Sequence, residues 1–349
     1  MIQTEEYLGL LRSLIRIPSF SREETAAADF LESWLWSHGF KPKRISDNIL
    51  LGPPEGETPL VLLNAHIDTV KPAASWTRDP FDPSDSPEKI WGLGSNDDGG
   101  SLIALLMAYE RLSQTGPHPC RFAFSATAEE EVSGRKGIEL LFPELGDVAF
   151  GLIGEPTGMR LAVAERGLMV LDCTAHGKSG HAARREGVNA IYKALPDIEW
   201  FRTHEFEKVS PYLGPVKTTV TMINAGTQHN VVPDTCTFVV DVRPNGLYSN
   251  PELLSLIKAS LSCEVKERST RLGSSHIPMD HPFVREALGL GLEAFGSPTC
   301  SNQSLCAFQT VKLGPGESAR SHTADEFIMT KEILDGAGTY YRLLKDLII

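Results

Sequence analysis

The chain has 349 residues, a formal net charge of −12, and hydrophobic, charged and aromatic fractions of 41%, 22% and 8%. At roughly 150 residues per domain this predicts about two domain-lengths with a sizeable core, and the composition excludes disordered, collagen-like and coiled-coil classes. The acidic balance and the lack of any basic run argue against phosphate tracking, no apolar stretch approaches the roughly 20 residues of a bilayer span, and Glu5 and Glu6 stand where a secretory signal would be basic, so a cytoplasmic protein is expected.

In chain order, apolar residues at helical spacing predict helices over Tyr7 to Ile15 and Ala26 to Trp36, and the compact run Pro59 to Leu63 predicts a buried strand. A Pro, Asp and Ser-rich loop (Pro72 to Pro87) precedes a glycine cluster (Gly92 to Gly100) and a helix from Gly100 to Leu112; strands follow at Arg121 to Ala126 and Phe150 to Ile153. Alternating helices and strands predict a mostly parallel α/β sheet. From about Gly167 to Arg243 the pattern becomes period-two, at Leu168 to Thr174, Thr218 to Ile223 and Thr237 to Val242, with helices at Asn189 to Leu195 and Pro251 to Leu261. That is the signature of an antiparallel sheet with one face covered. A strand at Val311 to Leu313 and a helical stretch from Lys331 to Leu347 resume the earlier style, so an α+β unit (167–273) is inserted between two parts (1–166 and 274–349) of a larger one. Cys120, Cys173, Cys236, Cys263, Cys300 and Cys306 form no C-x-x-C pair and are expected to be reduced thiols. Asn302-Gln303-Ser304 matches the glycosylation triplet but lacks a secreted context.

In open α/β sheets ligands bind beyond the carboxyl ends of the strands. There the sequence places His66 and Asp68, then Glu129, Glu130 and Glu131, then Glu155, and finally His322, with Asp97 and Asp98 in the glycine loop. Two histidines with several carboxylates suit zinc, cobalt or manganese, and exceed what one tetrahedral ion with an open position needs, so two metals with a bridging carboxylate are expected. Nucleotide readings fail: Asp97 replaces the third glycine of a dinucleotide fingerprint, and no phosphate loop is present.

These residues match a known pattern. Arg16-Ile17-Pro18-Ser19, His66-Ile67-Asp68-Thr69-Val70, Gly92-Leu93-Gly94-Ser95-Asn96-Asp97, Glu129-Glu130-Glu131, Gly154-Glu155-Pro156-Thr157, Gly180-His181, Asn230-Val231-Val232-Pro233, Asp241-Val242-Arg243, and Gly314-Pro315-Gly316 with Ser321-His322-Thr323 occur in order along nearly the whole chain. The sequence resembles the dinuclear zinc aminoacylase and carboxypeptidase (M20-type) superfamily, which includes acetylornithine deacetylase and succinyl-diaminopimelate desuccinylase. The resemblance implies a zinc-peptidase-like, mainly parallel sheet flanked by helices, with an inserted ferredoxin-like dimerisation or lid domain. It implies two zinc ions per subunit, one on His66 and Glu155, the other on Glu131 and His322, with Asp97 bridging and cobalt or manganese as substitutes. Asp68 would accept the second ring N–H of His66, and Glu130 would carry the proton from the attacking water to the leaving amine. His181 would stabilise the oxyanion in the site of the partner subunit of a homodimer. Asn230 and Arg243 would hold substrate, and Asp97-Asp98 would be a cis peptide. Gly99 stands where the pattern commonly has lysine, and Asn302 where it has aspartate, which leaves substrate contacts from the Ser301 to Ser304 loop in doubt.

The expected activity is hydrolysis of the amide of an Nα-acyl amino acid, in the manner of acetylornithine deacetylase in arginine biosynthesis. Desuccinylation is the alternative, with Lys178, Arg184, Arg185 and Arg320 as candidate cations for a distal carboxylate, and a dipeptidase is another. A metal-binding relative without turnover is disfavoured because Glu130 and His181 serve no purpose in a structural zinc site.

Overall fold

The structure is a computed structural model that describes residues 2–53, 55–84 and 86–349. The first part of the chain forms α1 (Thr4–Ile15), α2 (Thr25–Ser37), β1 (Lys43–Ile45), β2 (Asn48–Leu51), β3 (Leu60–His66), β4 (Lys89–Trp91), α3 (Gly100–Gln114), β5 (Arg121–Thr127), α4 (Phe142–Leu145), β6 (Val148–Ile153) and β7 (Leu161–Glu165). The middle forms β8 (Met169–His176), β9 (Gly180–His181), α5 (Ala190–Thr203), β10 (Lys217–Ala225), β11 (Val231–Val232), β12 (Thr235–Arg243), α6 (Asn250–Ser260) and β13 (Glu264–Glu267). The last part forms β14 (Ser275–His276), α7 (Pro282–Gly289), β15 (Ala294–Ser297), β16 (Thr310–Lys312), β17 (Phe327–Met329) and α8 (Thr330–Leu344). Two compact units result: Met1–Val163 with His276–Phe295 and Ser301–Ile349, and Ala164–Ser275 with Gly296–Cys300.

The first unit is a mixed α/β fold. Its sheet runs β1-β2-β5-β3-β6-β16-β7-β14, with β15 also on β7. β5, β3, β6 and β16 are mutually parallel, β2 and β7 join them antiparallel, and β1 pairs antiparallel with β2 at the edge. The run Leu60–Leu63 is apolar without alternation because both faces are covered. Val61 and Leu63 pack with Leu10, Leu31, Leu105 and Tyr340 from the helices, whereas Leu60 and Leu62 pack with Leu50, Ile138 and Leu141. Each such fully buried side chain contributes about 1.5–3 kcal/mol of transfer free energy. Where the chain leaves this unit and returns to it, Ile277 N–H donates to the Val163 carbonyl at 2.9 Å.

The second unit has the element order β8-α5-β10-β12-α6-β13 and the antiparallel strand order β10-β12-β8-β13. This is the split βαβ, ferredoxin-like arrangement. Met169, Leu171, Cys173, Phe238 and Val240 pack with Ala190, Phe201, Leu253 and Ile257 of the two helices. β10 departs from the expected alternation. A register shift between Val220 and Met222 breaks its pleat, and at the sheet edge it leaves Met222 and Ile223 more than half exposed. α5 is longer than its apolar pattern predicts: Asn189 caps it by accepting from Ile191 N, and it continues through Pro196.

All six cysteines are free thiols. Among the described residues, no helix is long and apolar enough to cross a membrane.

Candidate active site

Parallel neighbours end at the same edge of a sheet, so β3, β5, β6 and β16 deliver their following residues to one place. His66 is the last residue of β3, Glu130 and Glu131 follow β5, Glu155 follows β6, and His322 lies in the loop after β16. Asp97 arrives from a wide, non-helical turn before α3, and its peptide bond to Asp98 is cis. His66, Asp97 and Glu131 bring ligand atoms within 4.8 Å of one another, and so do His66, Glu130 and Glu155. His322 Nε2 lies 3.0 Å from Glu131 and 3.6 Å from Asp97 Oδ2. The five residues expected to hold metal thus share one site, with Glu130 among them.

The hydrogen-bond chemistry there calls for a cation. His66 Nδ1 sits 2.9 Å from the Asp68 backbone carbonyl, which can only accept, so Nδ1 carries the proton. The lone pair of Nε2 then faces Asp97 Oδ1 at 3.2 Å. Two acceptors at that separation are held together by a proton or a metal ion between them. The crowded charge tells the same story. Burial raises the Glu130 carboxyl to about 8, with Glu131, Asp68 and Asp97 adding to the rise against His66. Burial also raises Glu155 well above the usual range, opposed by Lys312. The hydrogen bond to Glu131, helped by Asp97 and against the effect of burial, raises the His322 imidazole to about 9. Imidazole and carboxylate donors of this kind fit zinc, cobalt or manganese.

Asp68 accepts the second ring N–H of His66 through its backbone carbonyl at 2.9 Å. Its carboxylate lies 3.6 Å from the same nitrogen and has further partners. It accepts from Glu130 N (3.0 Å), Glu131 N (3.1 Å) and Ser21 Oγ (2.7 Å). A fully buried carboxylate thus fixes the loop that carries Glu130 and Glu131. Glu24 does the same one residue earlier, accepting from Glu129 N. Replacing Asp68 with asparagine turns one acceptor into a donor facing these donors. Calorimetric titration is expected to show metal affinity reduced roughly 10–100-fold, the usual effect of losing a partner of the ligands; unchanged affinity would deny Asp68 this role.

Sequence reasoning missed Glu24, Ser21 and the buried Glu326, which accepts backbone N–H groups around Asp97 and whose carboxyl is raised to about 8 by burial and by Asp97. Polar residues flanking the ligand segments were the available signal. The Ser301 to Ser304 loop, whose substrate contacts the sequence left in doubt, is buried. Asn302 donates to Asn64 Oδ1 and Thr127 Oγ1, both at 3.1 Å, and Gln303 donates to Thr310. It ties strand ends together beneath the site, and Asn302 is no glycosylation acceptor.

In the second unit, β9 and β11 pair so that His181 lies opposite Val231, and Ala182 N donates to the Asn230 carbonyl. His181 and Asn230 are therefore exposed neighbours. Arg243 is not with them. It ends β12, eight residue-steps from Thr235, or roughly 27 Å along an antiparallel strand. Its guanidinium forks onto Asp241 at 2.8 and 3.1 Å. Arg320 is likewise engaged, bidentate to Glu332 at 2.7 and 3.0 Å. Lys178, Arg184 and Arg185 flank His181 on exposed chain and have no ion-pair partner among the described residues.

This geometry can be set beside known proteins. Residues 62–346 match the peptidase family M20/M25/M40. The chain belongs to that family. It is accordingly a metal-dependent hydrolase acting on amide bonds. A succinyl-diaminopimelate desuccinylase of Cereibacter sphaeroides is 28% identical over 289 aligned residues, covering 77% of this chain and 75% of that protein. Among solved structures, a Staphylococcus aureus tripeptidase has a TM-score of 0.77 at 22% identity, over 99% of this chain and 98% of that one. A dinuclear metal-binding M20 peptidase of Bacillus subtilis has a TM-score of 0.71 at 16% identity, over 97% of both chains. The M20 hydrolases thus share this mixed sheet flanked by helices.

Proposed function

We propose that this M20 hydrolase removes the acyl group from an Nα-acyl amino acid such as acetylornithine, as a cytoplasmic homodimer in arginine biosynthesis. The observation that carries the reading is the convergence of His66, Asp97, Glu131, Glu155 and His322 around Glu130. His66 and Glu155 would hold one zinc ion, Glu131 and His322 the second, and Asp97 both. Such a pair, when bound, polarises an amide carbonyl and acidifies water. Glu130, held through its backbone by Asp68, takes the proton of the attacking water and delivers it to the departing nitrogen.

His181 supports an oxyanion role through its tautomer. Nδ1 accepts from Ala183 N at 3.1 Å, so the ring proton sits on Nε2, ready to donate. The exposed apolar edge of β10 suits a second copy of the chain, whose active site His181 would complete. Arg243 would exchange Asp241 for the substrate carboxylate, and Asn230 would position substrate. His181→Ala is expected to lower kcat about 10²–10³-fold with metal content unchanged. Mixing it with Glu130→Gln protein should restore activity, because hybrid dimers contain one intact site; no recovery would place His181 in its own subunit's site.

Desuccinylation is a second reading, favoured by the Cereibacter relative and by the unpaired Lys178, Arg184 and Arg185 beside His181. The deciding experiment assays purified protein with zinc or cobalt for amine release from acetylornithine, succinylornithine, acetylcitrulline, succinyl-diaminopimelate and dipeptides. A clear preference for an acetyl substrate supports the first reading and for a succinyl substrate the second; dipeptide cleavage alone overturns both.

A further inference from the structure

We propose that Glu326 is a positioning residue for the metal centre, its buried carboxylate holding the turn that aims Asp97; the proposal rests on the dinuclear reading above. Glu326 is 2% exposed. Its Oε1 accepts from Asn96 N at 2.8 Å and Asp97 N at 3.0 Å, and Oε2 accepts from Gly94 N at 3.2 Å. Its own carbonyl accepts from Gly92 N at 3.0 Å. The turn therefore wraps its amides around a resident side-chain carboxyl group, much as backbone nests in other proteins enclose phosphate.

Two features make this more than local packing. No ammonium or guanidinium pairs with Glu326 among the described residues, since the nearby Arg320 is committed to Glu332. Among the described residues, backbone donors make its side-chain hydrogen bonds. Moreover, Glu326 lies four residues after His322 and directly before β17, which pairs with β4 ahead of the Asp97 turn. One side chain thus links the segments bearing Asp97 and His322. Asn96 makes a second tie, donating to the Glu317 carbonyl and accepting from Glu317 N. Glutamine at 326 can keep an oxygen for Asn96 N and Asp97 N but then presents an NH₂ group to Gly94 N, so the turn loses a tie and loosens.

The test uses Co(II) as the probe, with calorimetry and visible absorption on the full chain. Wild-type protein should bind two ions. Glu326→Gln should weaken at least one ion about 10–100-fold, alter the absorption bands, and lower kcat more than it raises KM. Asp325→Asn serves as the control: Asp325 ties the same loop to Thr77 and Arg78, so this change should lower thermal stability without altering either ion's affinity or the bands. Wild-type affinities and spectrum in Glu326→Gln, or equal losses in Asp325→Asn, would overturn the proposal. Should Glu326→Gln not fold, Glu326→Asp retains the charge but falls one methylene short; weakened cobalt binding there supports the proposal and wild-type binding overturns it. A wild-type chain that fails to bind two ions defeats the dinuclear reading as well, which distinguishes the two failures.

Discussion

Glu130→Gln is expected to yield a folded protein that retains its metal ions and turns substrate over about 10²–10⁴ times more slowly, the range for losing a general acid–base group. Glutamine preserves shape, and the backbone N–H of residue 130 keeps its bond to Asp68. What disappears is the ability to take up and return a proton. Removing a carboxylate from beside Asp97, Glu131 and Glu155 also relieves like-charge repulsion. The metal-free variant should therefore melt no lower than metal-free wild type. Steady-state kinetics at saturating substrate, elemental analysis and a melting curve together check this. Wild-type turnover would remove Glu130 from the chemistry, whereas metal loss would make it a ligand.

Asp97→Asn should be more damaging, because its carboxylate offers one oxygen to each half of the site. Oδ1 faces His66 Nε2 at 3.2 Å and Oδ2 faces His322 Nε2 at 3.6 Å. An amide supplies one weak acceptor and no charge, so both ions should weaken together, by more than the roughly 10–100-fold associated with a partner of a ligand. Glu155→Gln, by contrast, should weaken one ion selectively. Competitive titration with a metal-sensitive dye separates these patterns; selective loss of a single ion in Asp97→Asn would deny it the bridging position.

The fold was most legible where burial acts on both faces of an element. Leu60 to Leu63 read as a buried strand because neither face could be polar, and α3 because its apolar residues recur at helical spacing. Three-residue strands carry too few residues for any period, so β1, β4, β16 and β17 depended on partners distant in sequence, although Val311 to Leu313 betrayed β16 by its apolar content. The site shows the same division. Histidines and carboxylates at strand ends pointed to a metal site. The residues that fix those ligands did not, because they bind backbone amides: Asp68 reaches loop positions 62 and 63 residues away, and Glu326 reaches Asp97 across 229. Backbone amides have no signature in a side-chain alphabet. The Asn302 loop misled for a related reason, since polar residues suggest solvent or substrate until their partners, Asn64 and Thr127, are known to be buried.

The hydrogen bond between Ile277 and Val163 has an evolutionary consequence. Because the polypeptide departs and re-enters at adjoining points on the host, the intervening stretch resembles a cassette, to which the host segment adds Gly296–Cys300. Its acquisition, loss or exchange leaves the metal-bearing scaffold topologically intact. Selection can therefore remodel this cassette while the host scaffold diverges on its own schedule.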